Sequence, residues 1–195
     1  MSLSKKDKLL NSALVLFSEQ GIHGTSTASI ARHAGVANGT LFHHFTTKEE
    51  LVLALYIAIK QELAEVLSSS HCTDTAIEAQ AKALWNSALD WAIAQPKKLQ
   101  FCQQVSSLQM LDRPTRELTM TQELSQIMQL INQGIEQNVL ANLPLELIIN
   151  HCHAQFFSTC QLFIDNESVQ EDIHYRDSAF HLFWHALKAP KQHGK

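Results

Sequence analysis

The apolar residues of this chain recur mostly at helical spacing, three and four positions apart. Near the N-terminus, Leu10, Ala13, Leu14 and Phe17 form an i, i+3, i+4, i+7 series, the pattern of one apolar helix face. No period-2 alternation persists, and the 195 residues include only six glycines and four prolines. The pattern predicts an all-α protein of nine or ten helices.

Capping residues, glycines and prolines set the expected helix ends. Ser4 with Asp7 is expected to cap the first helix, and Gly21 is expected to end it. Thr47 opens a capping box for the fourth helix, and Asn138 is expected to end the seventh in a left-handed conformation. The predicted helices cover about 5–19, 26–34, 37–44, 47–67, 75–95, 96–108, 115–138, 145–164 and 171–187.

Two short helices, 26–34 and 37–44, are joined by a turn that contains Gly35. Leu41, Phe42 and Phe45 are expected to hold the second of them against the protein. Such a pair forms a helix-turn-helix unit, whose second helix enters the DNA major groove. An ordinary helical hairpin, in which Gly35 is only a C-cap, explains the local spacing as well, and both interpretations stay open on spacing alone.

The second short helix begins with residues suited to reading DNA. Asn38 can pair with adenine, Thr40 can contact a base edge or a thymine methyl group, and Gly39 lets the backbone approach closely. Thr27 and Lys48 stand at helix N-termini, where backbone amides favour phosphate. The remaining candidates to donate hydrogen bonds to phosphate are His43 and His44.

The segment 24–51, GTSTASIARHAGVANGTLFHHFTTKEEL, resembles the DNA-binding signature of the tetracycline-repressor (TetR) family. The resemblance covers about 45 N-terminal residues, and the remainder is similar only in the number, lengths and placement of helices. It implies a three-helix DNA-binding domain at 1–48, a helix at 47–67 that connects, and a ligand-binding and dimerisation domain at 49–195. The implied function is that of a dimeric regulator, usually a repressor released by a small molecule.

The resemblance also assigns positions. Thr27 and Lys48 match phosphate-contacting positions, and the segment 38–40 matches the groove-facing start of the recognition helix. Phe42 stands where the family usually has a tyrosine whose hydroxyl touches phosphate, so that contact is missing or is replaced by His43 or His44. Ala28 stands where some members have a base-reading polar side chain, which puts readout from the second helix in doubt.

Charge is distributed unevenly along the chain. Residues 1–48 contain five basic and two acidic side chains, a net charge of +3, whereas the remainder carries −7. A basic N-terminal segment followed by an acidic remainder fits a protein that binds a polyanion such as double-stranded DNA through its N-terminal end. No run of eighteen apolar residues and no secretion signal is present, so no membrane span and a cytoplasmic location are expected.

The C-terminal helices are rich in apolar residues. Helix 8 is apolar on nearly all sides, and helix 9 carries a stripe of large side chains, which favours a homodimer formed through helices 8 and 9. The alternative is that they form only the domain's own core. In a dimer, two recognition helices about 34–36 Å apart reach successive major grooves, so the operator should be near-palindromic.

A pocket for a small-molecule inducer of unknown identity is expected among helices 5 to 8. The candidate lining residues, each of which is also interpretable as ordinary core, are Trp85, Trp91, Phe101, Met110 and Phe156. His181 and His185 with Asp177 have metal-ligand spacing, but surface histidines are the preferred interpretation, and no metal or cofactor is predicted.

No nucleotide-binding loop, nucleophile elbow or carboxylate pair is present, so the chain is not expected to be an enzyme. The enzyme class would need a reactive thiol, for which Cys102 and Cys160 are candidates by type alone. The four cysteines form no CxxC pair and are expected to be reduced. The leading hypothesis is a ligand-responsive transcriptional regulator. The alternative is a DNA-binding architectural or partner-regulated protein without an inducer.

Overall fold

The computed structural model describes residues 3–70, 72–107, 111–112, 114–115, 118–119 and 124–190. Over these residues the regular structure is helical, as predicted, with a single isolated β-bridge between Leu140 and Lys188. The elements are α1 (Lys5–Gly24), α2 (Thr27–His33), α3 (Asn38–His44), α4 (Lys48–Ser68), α5 (Ile77–Ala94), α6 (Pro96–Ser107), α7 (Ser125–Glu136), α8 (Leu145–Asp165), a 3₁₀ turn (Glu167–Val169) and α9 (Ile173–Leu187).

The chain folds into two compact units, each made of two separate stretches. The first unit combines residues 1–62 with 95–123, and the second combines 63–94 with 124–195. Helix α6 therefore packs with the N-terminal helices rather than with α5, which directly precedes it. The domain boundary predicted after residue 48 does not coincide with the border of either compact unit. The predicted division into a DNA-binding and a ligand-binding domain stays a prediction.

Helix α1 begins and breaks at the residues expected to control it. The Ser4 hydroxyl accepts the amide of Asp7 at 3.1 Å, and the Asp7 carboxylate accepts the amide of Ser4 at 3.2 Å, which completes the capping box. Gly21 has φ +75°, a left-handed conformation that suits glycine, and it interrupts the helix. One further turn then continues to Gly24, so the helix ends later than predicted.

A side chain of α6 replaces a helical hydrogen bond that is lost at the Gly21 kink. In an uninterrupted helix, the amide of Ile22 would donate to the carbonyl of Ser18. Instead, the amide of Ile22 donates to Gln104 Oε1 at 3.0 Å, and Gln104 Nε2 donates to the carbonyl of Phe17 at 3.0 Å. One amide group therefore ties α6 to α1 within the first unit.

Aromatic stacking reinforces the same contact between α1 and α6. The rings of Phe17 and Phe101 lie 5.7 Å apart and nearly parallel, at 12°, and both side chains are fully buried. Offset stacked pairs of this kind stabilise a core beyond the area they bury. Helices α1 and α6 thus form a packed and hydrogen-bonded pair in the same unit as the helix-turn-helix.

The second unit has its own core, built from α5, α7, α8 and α9. Asn138 takes φ +55° after α7, as predicted for a left-handed cap. The chain that follows pairs with the end of α9, because Ala141 donates to Leu187 at 2.8 Å and Ala189 donates to Val139 at 2.9 Å. The buried core residues are Ile77, Trp85, Ile131, Leu140, Ile148, Phe180, Trp184 and Leu187.

The prediction of one continuous helix over 115–138 is wrong. Leu124 has φ −110° and ψ 36°, outside the helical region, and α7 begins after it at Ser125. No side chain caps this start. Apolar spacing continued across the break because periodicity carries no information about the backbone torsions of a single residue.

Replacing Gln104 with leucine tests the tie between α6 and α1. The Gln104→Leu variant is expected to lower the free energy of unfolding by about 1–3 kcal/mol, because the Ile22 amide and the Phe17 carbonyl lose their partner. Gln103→Leu changes the same residue type one position earlier on α6 and serves as the matched control. Urea unfolding followed by circular dichroism measures both, and equal stabilities for the two variants would contradict the assignment.

Candidate nucleic-acid interface

The turn between α2 and α3 depends on Gly35. Its φ is +67°, and a Cβ placed there would meet no atom within 4 Å, so the backbone conformation rather than space requires glycine. The amide of Gly35 donates to Arg32 at 3.1 Å and that of Val36 donates to Ala31 at 3.0 Å, closing the end of α2. The two helices are therefore connected by a tight and specified turn, as the helix-turn-helix interpretation expects.

Two buried side chains determine which face of α3 points outward. Leu41 is fully buried and Phe45 is 4 % exposed. On the neighbouring α2, Ile30 and Ala31 are buried as well. Phe42, which the sequence assigned to the same anchoring role, is 44 % exposed, and that assignment is wrong. The reason is rotation: Phe42 follows Leu41 by one residue and so points about 100° away from it.

The eight predicted DNA-contacting residues all remain accessible at this end of the first unit. Asn38, Gly39, Phe42, His43 and His44 are exposed, and Thr27, Thr40 and Lys48 are half-buried. The imidazole rings of His43 and His44 lie 5.5 Å apart at 65°. The exposed residues of α3 are thus accessible to another molecule.

Gly39 has no structural reason to be glycine within the protein. A Cβ at this position would meet no atom within 4 Å, and its φ is not positive, in contrast to Gly21 and Gly35. Glycine inside a helix costs about 1 kcal/mol relative to alanine. The missing side chain therefore fits a requirement from outside the chain, such as close approach of another molecule to the α3 backbone.

The start of α4 is capped by Thr47 and Glu50. The amide of Glu50 donates to Thr47 Oγ1 at 3.1 Å, as expected of a capping box. The Glu50 carboxylate accepts the amide of Thr46 at 2.7 Å, and hydrogen bonding to Thr46, with a smaller contribution from the Thr47 backbone, lowers the pKa of Glu50. Partial burial lowers the pKa of Lys48, opposed by the neighbouring Glu49.

The predicted pocket residues are divided between the two compact units. Trp85 and Phe156 meet edge to face at 5.5 Å in the second unit, where Trp91 is also buried. Phe101 lies in the first unit against α1, and Met110 lies outside the described residues. The role of these five residues in a pocket stays a prediction.

Sequence reasoning missed the α9 partners of Trp85 and the polar groups around it. The rings of Phe183 and Phe180 lie 4.4 and 6.3 Å from that of Trp85. The buried polar atoms without a hydrogen-bond partner in the described residues are Trp85 Nε1, Asn86 Oδ1, His151 Nε2 and Trp184 Nε1. Only tertiary packing shows that these atoms lack partners, so spacing along the chain carried no signal for them.

Neither the histidines nor the thiols form a reactive site in the described residues. The rings of His181 and His185 stack at 3.8 Å, but no group of three residues in the described ranges is arranged to hold a metal ion. Burial raises the pKa of Cys102, and it raises the pKa values of Cys152 and Cys160 to about 12. All four cysteines are free, as predicted.

These features define the class: a helix-turn-helix protein with an exposed recognition edge. The sequence model described as "Bacterial regulatory proteins, tetR family" matches residues 9–55. A solved structure of a protein described as a tetR family transcription regulator, from Shewanella sp. PV-4, is 40% identical with a TM-score of 0.92, and the match covers 96% of this chain and 100% of that one. The chain belongs to the TetR family.

Curated relatives match over part of the chain. The HTH-type transcriptional regulator UidR of Escherichia coli is 31% identical over 78 residues, covering 38% of this chain and 40% of UidR. The HTH-type transcriptional repressor KstR2 of Mycobacterium tuberculosis is 43% identical over 49 residues, covering 25% and 24% of the two chains. The chain thus spans less than half the length of these relatives. Membership of a family of transcription regulators agrees with the prediction of a non-enzymatic protein.

The helices in the described residues include none that is both long and apolar enough to cross a membrane.

Thiol reactivity tests the burial of the cysteines. At pH 8 the folded protein is expected to react rapidly with an aromatic disulfide at the exposed Cys72 alone. With a pKa of about 12, Cys152 and Cys160 hold about one thiolate in ten thousand at that pH. The released chromophore counts the thiols, Cys72→Ser is the control, and urea should expose all four. Fast reaction of two or more thiols in the folded protein would contradict this assignment.

Proposed function

We propose that this protein is a dimeric DNA-binding transcriptional regulator that represses at a near-palindromic operator and is released by a small molecule. The observation that carries the proposal is Gly39. It lies on the exposed edge of α3 with open space where a side chain would be, and the protein itself does not require glycine there. Close approach of the α3 backbone to the floor of a major groove favours a residue without a side chain.

The surroundings of Gly39 support the same role. Asn38 and Thr40 flank it with hydrogen-bonding groups suited to base edges. Thr27 and Lys48 lie at the starts of α2 and α4, where they serve as phosphate contacts. Residues 1–48 carry a net charge of +3, whereas the remainder of the chain is acidic, so DNA is expected to associate with the N-terminal residues.

The names of the relatives favour regulation, and one of them favours repression. UidR is named as a transcriptional regulator and KstR2 as a transcriptional repressor. We extend repression to this chain on that basis, and place its action in the cytoplasm, where an operator is accessible.

The dimer is proposed to form through α8 and α9, whose outward faces combine large apolar with small residues. On α8 the exposed stripe contains Leu147 and Leu162, 56 % and 48 % exposed, with small residues between them. On α9, Leu182 is 65 % exposed and Tyr175, seven residues earlier on the same face, is 46 % exposed. The small residues on these stripes, which allow helices to approach closely, are Ala154, Ser158, Ser178 and Ala186.

Control by a small molecule is proposed to use the second unit. Trp85 is 5 % exposed, and its indole N–H has no partner among the described residues. A buried donor without a partner is costly, by about 1–3 kcal/mol. A ligand with an apolar body and a hydrogen-bond acceptor would satisfy it, and Phe156 beside it offers an aromatic contact.

Adding a methyl group at Gly39 tests the proposal. Gly39→Ala is expected to weaken binding to a selected duplex by at least about tenfold, because the methyl group occupies the space that the groove needs. The folded protein should be as stable or up to about 1 kcal/mol more stable, because alanine favours the helix. Fluorescence anisotropy measures affinity and thermal unfolding measures stability.

Gly24→Ala is the matched control. Gly24 also has open space where a Cβ would stand and no positive φ, but it lies at the end of α1. It should therefore leave DNA affinity unchanged. Unaltered affinity in Gly39→Ala, or equal losses in both variants, would count against the proposed use of α3.

A charge at Leu182 tests the dimer. Leu182→Glu is expected to convert a dimer of twice 21.9 kDa into folded monomers, because a carboxylate would be buried in the apolar interface. Leu3→Glu, at a similarly exposed leucine (54 %) far along the chain from α9, should remain dimeric. Sedimentation equilibrium gives the masses. A wild-type monomer at all concentrations, or a dimeric Leu182→Glu variant, would exclude this interface.

A further inference from the structure

We propose that His43 reads a guanine directly in the major groove and so helps to determine operator specificity, while His44 contacts the DNA backbone. This inference rests on the proposed function and assigns different roles to two neighbouring histidines. Both are exposed at the end of α3, and their sequence alone does not distinguish them.

The buried anchors of α3 supply the distinction. Consecutive residues on a helix are about 100° apart, so residues two positions apart point about 160° from each other. His43 lies two residues after the fully buried Leu41 and therefore points about 160° away from it, near the centre of the outward face. Phe45 is buried as well, but it follows α3 as an extended C-cap and lies outside the helical rotation.

The neighbouring side chains of α3 lie on the flanks of that face. Phe42 points about 100° away from the buried Leu41, and His44 points about 60° away from it. The His44 ring also lies 6.3 Å from the ring of the buried Phe45, which keeps it close to the protein surface. A flanking position suits contact with the sugar–phosphate backbone rather than with base edges.

The residue one turn before His43 is Gly39, which shares the outward face. Because Gly39 has no side chain and open space around it, nothing on α3 holds the base edges away from the His43 imidazole. A helix in the major groove can reach bases from several turns, as residues i, i+3, i+4 and i+7 do in homeodomains. His43 is therefore placed to contact a base even though it follows the first turn.

The chemistry selects guanine. An imidazole always carries at least one N–H donor. Guanine presents two adjacent acceptors, N7 and O6, in the major groove. Adenine places an amino group beside its N7, thymine places a methyl group on the same edge as its O4, and cytosine presents a donor. A single donor at the centre of the face therefore favours guanine at one position of each half-site.

Selection from a duplex library with a randomised central segment tests the proposal with wild-type, His43→Ala and His44→Ala proteins. Wild-type protein should enrich a palindrome with a required guanine in each half-site. His43→Ala should lose that preference alone, with binding to the wild-type sequence weakened on the order of 5- to 150-fold. His44→Ala should weaken binding without changing the preferred sequence.

Replacing that guanine with its 7-deaza analogue examines the contact at a single atom. The substitution should weaken wild-type binding and leave His43→Ala binding unchanged, because the variant has no donor to lose. Both histidines are exposed, so each variant should keep wild-type thermal stability to within about 0.5 kcal/mol, the usual range for surface changes.

Each outcome has a defined meaning. An unchanged preferred sequence in His43→Ala, equal losses on the 7-deaza duplex for both proteins, or a lost preference for a base other than guanine would overturn the role of His43 and leave the proposed regulator intact. Enrichment of no palindrome by the wild-type protein would overturn the proposed function itself, and the role of His43 with it.

Discussion

The burial of Leu41 and Phe45 is the constraint on which the proposed DNA-facing surface depends. Both side chains must enter the apolar interior of the first unit, and this fixes the rotation of α3 about its axis. A one-residue change in which side chains are buried would turn the helix by about 100° and carry Gly39 and His43 out of the outward face. The positive φ of Gly35 supports the same arrangement, because it sets the direction in which α3 leaves α2.

The helix-turn-helix also depends on a segment far away in sequence. Gln104 of α6 accepts the amide of Ile22, just after the Gly21 kink, and donates to the carbonyl of Phe17, just before it. Phe101, one turn earlier, stacks on Phe17. A displacement of α6 would therefore disturb these contacts with α1 within the same compact unit. Since α6 follows α5 after a single residue, the proposed ligand control has a covalent and a hydrogen-bonded route to the DNA-binding helices.

Local features of this fold were predictable from sequence, because the interactions that produce them are short in range. The caps at Ser4 and Thr47 and the left-handed Asn138 depend on a few consecutive residues, and the structure confirms them. Features that depend on tertiary packing were not predicted correctly from the sequence. Sequence reasoning gave Phe42 an anchoring role although the side chain is exposed, and it predicted one continuous helix across the non-helical Leu124. Periodicity records which faces are apolar and not which helices meet.

The surface that DNA covers can be located by amide hydrogen exchange on the wild-type protein with and without its selected duplex. The N-terminal amides of α3 have no intrahelical acceptor and exchange readily in the free protein unless something covers them. We expect DNA to slow amide hydrogen exchange in the segment 27–48, most strongly at the start of α3. Exchange on the outward faces of α8 and α9 should not change. Protection that falls elsewhere, with 37–44 unchanged, would contradict the proposed DNA-facing surface.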